Sequence, residues 1–75
     1  MISPNPFSDF VIVDLATHDD FPVDFLVFVG DKEVFRNRIF TSKKIVDVSE
    51  LKAGTYRVCM QAEKGIVYEG YCSKL

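Results

Sequence analysis

The residues of this chain able to do chemistry are few: one histidine, two cysteines and a short acidic run. His18, Asp19, Asp20 and the nearby Asp24 form the one grouping with metal-ligand side chains. Their spacing lacks the glycine turn and ligand intervals of a calcium loop, and the paired Cys/His intervals of a zinc site. The run reads as a solvated acidic loop, and no metal or other cofactor is expected. Cys59 would need His18 beside it to act as a nucleophile, but it falls in mid-strand, where nothing favours a thiolate. No serine sits in a strand-to-helix elbow, no glycine loop is built to cradle a phosphate, and no carboxylate pair stands out from the surface charge. The expectation is a non-enzyme without a small-molecule substrate.

Binding must then be carried by the elements themselves. Seventy-five residues allow one small domain, which buries only about 60% of its unfolded surface and so needs a well-filled core. A hydrophobic content of 48% with seven phenylalanines supplies that core. The net charge of −2 excludes the basic profile of a nucleic-acid binder. No run reaches the ~18 apolar residues of a membrane helix. Met1 is followed at once by Ile2-Ser3-Pro4-Asn5-Pro6, which is not a secretory signal. The chain is therefore expected to be either cytoplasmic or the end of a longer precursor.

Pro4 and Pro6 exclude helix from the start of the chain and predict an extended lead-in. Phe10 to Leu15 reads as the first long strand. Asp14 sets its phase, sending Val11, Val13 and Leu15 inward and leaving Phe10 and Ile12 as an outer apolar patch. Val23 to Val29 is nearly all apolar, as in a central strand. Gly30 to Glu33 is a turn, and Val34 to Phe40 the returning strand. Arg36 and Arg38 share one of its faces with Val34 and Phe40, and Phe35, Asn37 and Ile39 share the other, an ambiguity that a bulge near Asn37 would resolve. Arg36, Arg38, Lys43 and Lys44 form either a basic stripe for an anionic surface or the charges that defend an edge strand.

Val46-Asp47-Val48-Ser49 alternates with the period of a strand packed on one side. Leu51 then points into a corner, Gly54 allows positive φ, and Tyr56, Val58 and Met60 share one face beyond it. A tyrosine just past such a corner fits the tyrosine corner of immunoglobulin-like sandwiches, in which the phenol bonds to backbone a few residues upstream. The alternative is a hairpin whose tyrosine merely packs. Ala62 to Gly65 turns the chain, and Ile66 to Cys72 returns as the last strand.

If Glu63-Lys64-Gly65 is the hairpin loop, Ala62 faces Ile66, Cys59 faces Glu69 and Cys72 faces Tyr56. That register puts the two cysteines on opposite faces. A Lys64-Gly65 loop would put them on one face but two residues out of step. Neither register suits the Cα separation of a disulfide, so two free thiols are expected. Short strands with no helical period predict an all-β fold, a small immunoglobulin-like antiparallel β-sandwich of six or seven strands.

Two stretches read together resemble a known family. Ser3-Pro4-Asn5-Pro6-Phe7-Ser8-Asp9 followed by a strand, and Val46 to Tyr56 with Leu51 and Gly54-x-Tyr56, resemble the two signatures of the C-terminal sorting domain (type A) used by the type IX secretion system of Bacteroidetes. The resemblance covers nearly the whole chain. It departs from the family in the middle turn, where Phe28-Val29-Gly30-Asp31-Lys32 replaces Asp-x-x-Gly-Lys. It departs again at the end, where Gly70 to Leu75 keeps only Lys74 of a lysine-bearing apolar strand.

A monomer is expected, and the resemblance implies a domain at the C-terminus of a larger secreted precursor, passing through the periplasm to the cell surface or medium. It implies protein partners, namely the outer-membrane export machinery and a sortase. The residues expected to be read are Pro4, Asn5, Pro6 and Phe7 of the lead-in with Tyr68, Tyr71, Lys74 and Leu75 of the last strand, because termini and edges are what a folded domain offers for strand addition. Leu51, Gly54 and Tyr56 are the structural motif. Alternatives are an immunoglobulin-like interaction module of a surface or periplasmic protein, or a cytoplasmic binding domain starting at Met1.

Overall fold

The computed structural model describes residues 2–15 and 21–75. Among these residues seven strands follow in order: β1 (Ile2–Ser3), β2 (Phe10–Asp14), β3 (Val23–Val29), β4 (Lys32–Ile39), β5 (Lys43–Asp47), β6 (Gly54–Ala62) and β7 (Gly65–Lys74). They form two antiparallel sheets, β1-β2-β5 and β4-β3-β6-β7. The acidic loop with His18, Asp19 and Asp20 lies outside the described residues. Asp24 is described, and its carboxylate accepts a hydrogen bond from Arg38 Nε at 2.9 Å.

The inward phase set by alternation holds. Val11, Val13, Leu15, Val46, Val48, Leu51, Tyr56, Val58 and Met60 all lie in one buried cluster. Val23, Phe25 and Val27 of β3 and Ile39 of β4 join them from the larger sheet, so both sheets fill one core. That is a small β-sandwich.

The β3–β4 turn is closed by Gly30 and Asp31 between the paired Val29 and Lys32. Gly30 has φ 60°, which the first central residue of a type II′ turn requires and a Cβ disfavours. A bulge does interrupt β4, but at Val34 rather than near Asn37. Val27 pairs with Phe35 and Phe28 with Glu33, so Val34 is the extra residue. Beyond it Phe35, Asn37 and Ile39 face the core side while Arg36 and Arg38 face out.

The basic residues do not form one stripe. Arg36 pairs with Glu33 at 2.9 Å and Arg38 with Asp24. Lys44 donates to Asn37 Oδ1 at 3.0 Å from the other sheet. An edge strand whose charges are paired locally is what these contacts describe, and Lys44 turned inward further protects the β5 edge from unwanted pairing.

The last hairpin differs from both expected loops. Ala62 pairs with Gly65 around a Glu63-Lys64 turn, so Ala62 does not face Ile66. A second irregularity leaves Val67 unpaired, after which Met60 faces Tyr68, Cys59 faces Glu69 and Tyr56 faces Cys72. The bulge restores the residue that the shorter loop omits, and the expected cysteine register survives by a different route. Cys72 lies in the core and Cys59 is buried on the outer face, paired in register with Leu26. Both are free thiols.

Candidate functional site

Local sequence builds the corner first. Asp47 Oδ1 accepts hydrogen bonds from Ser49 N at 2.9 Å and Ser49 Oγ at 2.7 Å, an Asx-type turn that ends β5. These two bonds hold the Asp47 carboxyl below its usual range. Leu51 N donates to Val48 O at 3.1 Å, and Leu51 is buried. Gly54 has φ 150°, a backbone that other residues rarely adopt. Tyr56 Oη donates to Lys52 O at 2.5 Å, four residues upstream. This is a tyrosine corner in full, not a tyrosine that only packs. Its role is structural: a buried ring fixes the core and its hydroxyl fixes the loop.

The lead-in and the end of β7 meet along the free edge of β7, next to the start of β6. Phe7 makes a parallel bridge with Lys74. Its N–H donates to Ser73 O at 2.9 Å, and Leu75 N donates to its carbonyl at 2.9 Å. Asn5 acts with its side chain as a backbone would: Oδ1 accepts from Ser73 N at 3.0 Å, and Nδ2 donates to Tyr71 O at 3.3 Å. Ser73 turns both backbone groups toward the lead-in, so Tyr71 and Glu69, two and four residues back, turn theirs the same way.

The structure sets Asn5 and Phe7 against Tyr71, Lys74 and Leu75, and the residues expected to be read differ in burial. Pro4, Asn5 and Pro6 are exposed beside Tyr71 and Leu75, which are 68% and 72% exposed on the outer side of the sheet. Phe7 is not an accessible contact. It is 3% exposed and belongs to the core. Tyr68 is half-buried and packs against the core. It leans over Gly70, where a Cβ would stand 2.9 Å from its hydroxyl. Lys74 is half-buried on the inner side.

Phe10 and Ile12 do form an outer apolar patch, and Ile45 joins it across the Ile12–Ile45 pair. That patch lies on the outer face of the small sheet and points away from the face of Tyr71. It does not widen the surface at the end of β7.

On the outer face of the larger sheet, Arg57 stacks over Phe28 at 4.4 Å and pairs with Glu69 at 2.8 Å. The register sets Leu26 and Cys59 between these long side chains, whose stems can cover apolar neighbours. Burial pushes the Cys59 thiol up, with Glu69 adding to the shift, and burial alone raises Cys72. Neither is poised as a nucleophile. Among the described residues no group of three or more His, Cys, Asp and Glu side chains is placed to hold a metal ion. Among the same residues no helix is long and apolar enough to cross a membrane.

The scaffold is a small β-sandwich with a tyrosine corner and a lead-in laid along the edge of β7. The family model of the secretion system C-terminal sorting domain matches residues 1–70, and the chain belongs to that family. The domain is a C-terminal sorting signal for the type IX secretion system, which exports proteins across the outer membrane to the surface or the medium. No curated protein and no solved structure matches the chain.

Proposed function

We propose that the export machinery reads this address at the end of β7, where the lead-in lies against it, through the exposed side chains of Tyr71 and Leu75. The observation that carries the reading is the exposure of Tyr71 and Leu75 at the end of β7, on the edge where Asn5 Nδ2 donates to Tyr71 O and Asn5 Oδ1 accepts from Ser73 N. The domain is a monomeric, non-catalytic end piece of a larger precursor of type A, from a bacterium of the Bacteroidetes. It crosses the periplasm with its cargo and is removed by a sortase at the cell surface. The buried thiols, held protonated, support a role in addressing rather than catalysis.

The test uses side chains that the core does not need. In a secreted fusion, Tyr71→Ala with Leu75→Ala should abolish export while the purified domain keeps its strand spectrum and melting temperature. Lys32→Ala, exposed on β4 at the far edge of the same sheet, should leave export unchanged. Normal export of the double variant would move the address away from this surface. Deleting Cys72 to Leu75 is a poorer test, because it removes a core residue and the seat of Phe7.

A further inference from the structure

An open sheet edge is the usual place for an extended partner to add a strand, yet the last part of the β7 edge is already occupied. Four bonds from the lead-in use Tyr71 O, Ser73 N, Ser73 O and Leu75 N. Two of the four come from one exposed side chain, Asn5. Residues 4–7 are thus held by two different means, an aromatic anchor at Phe7 and a polar clip at Asn5, while Ile2 and Ser3 before them pair with Val13 and Ile12 in the smaller sheet. Of the two means, only the anchor belongs to the core.

We propose that residues 4–7 are a removable strap over the β7 edge, and that an extended peptide gains Tyr71 to Leu75 by displacing it. The strap itself defines what such a peptide looks like. It is an extended segment with a hydrogen-bonding side chain two residues before an aromatic, the aromatic filling the place of Phe7. The proposal rests on the end of β7 being the address. It adds that the backbone edge beneath the Tyr71 and Leu75 side chains is covered in the resting domain, so apparent affinity for a strand-adding partner is scaled by the fraction of strap that is open.

Exchange and competition test this on the intact chain. Amide hydrogen exchange at Ser73 and Leu75 should be faster than at Cys72 and Gly70, which pair with β6 inside the ladder. Asn5→Ala should speed Ser73 and Leu75 about tenfold, as expected for loss of two exposed hydrogen bonds, and leave the ladder amides unchanged. The probe for competition is a synthetic peptide of residues 2–8. It should bind the Asn5→Ala chain about tenfold more tightly than wild type, and the same peptide carrying Phe7→Ala should not bind. Equal binding by both chains, binding by neither, or Ser73 exchanging only as fast as Cys72 would overturn the strap. A fusion carrying Asn5→Ala should be exported at least as well as wild type; lost export would make Asn5 part of what is read rather than part of a cover. Normal export of the Tyr71 and Leu75 variants would defeat the address reading alone, since peptide competition does not depend on it.

Discussion

The corner and the strap both pin an irregular segment with a side chain that bonds to backbone, but over very different stretches of chain. Tyr56 reaches Lys52, four residues away; Asn5 reaches Tyr71 and Ser73 across almost the whole sequence. The corner can form as soon as β6 begins to pack. The strap has no seat until β6 and β7 have paired and the Phe7 site exists. One is therefore expected among the last elements to open and the other among the first, because local stability follows the contacts an element shares with the core.

The strongest way to break this comparison is at the corner. Tyr56→Ala should cost about 3–5 kcal/mol, as for a large buried aromatic, which is most of the stability of a domain this small. Tyr56→Phe keeps the ring and loses only the bond to Lys52 O, for about 1–2 kcal/mol. Urea denaturation separates the two, and a Tyr56→Ala chain as stable as wild type would remove the corner from the core.

Phe7→Ala comes next. Its ring is equally buried, yet it enters from a lead-in that can shift to close the space, so a loss of about 3 kcal/mol is expected. The sharper readout is exchange. Ser73 and Leu75 amides should lose protection well before those of Val58 and Met60, whereas Tyr56→Ala should lower all of them together. Uniform loss in both variants would make strap and corner one cooperative unit.

The thiols give the smallest effect. Both pKa values are raised by burial, so folding favours the protonated forms. Stability from this source is full below the ordinary thiol pKa and falls as pH rises through it, where the unfolded thiols ionise first. A Cys72→Ala chain should show a shallower fall in urea midpoint between neutral and alkaline pH than wild type. Mass spectrometry should find two alkylatable thiols after denaturation without reductant and slow reaction before it.

Much of the architecture was legible because alternation has a period of two and one face is buried. The phase of Val11, Val13, Val46, Val48, Val58 and Met60 followed from their polar neighbours alone. The tyrosine corner was legible for a related reason: Leu51, Gly54 and Tyr56 act on backbone only a few residues away. The bulges at Val34 and Val67 were not legible, since an unpaired residue is defined by the partner strand. The short β1 and its pairing with Val13 and Ile12 were hidden in a lead-in that prolines mark only as extended.

By itself, then, the sequence determined which residues of each strand point inward and the regions where the chain turns, because each depends on neighbours within a few positions. Only the tertiary structure decided that Phe7 is core while Asn5 is a clip, and that the edge of β7 is partly closed. Those outcomes depend on two ends of the chain meeting across a finished sheet. No local pattern encodes such a meeting, because the hydrogen-bonding groups that Asn5 and Phe7 satisfy become an edge only after β7 has paired with β6 on its other side.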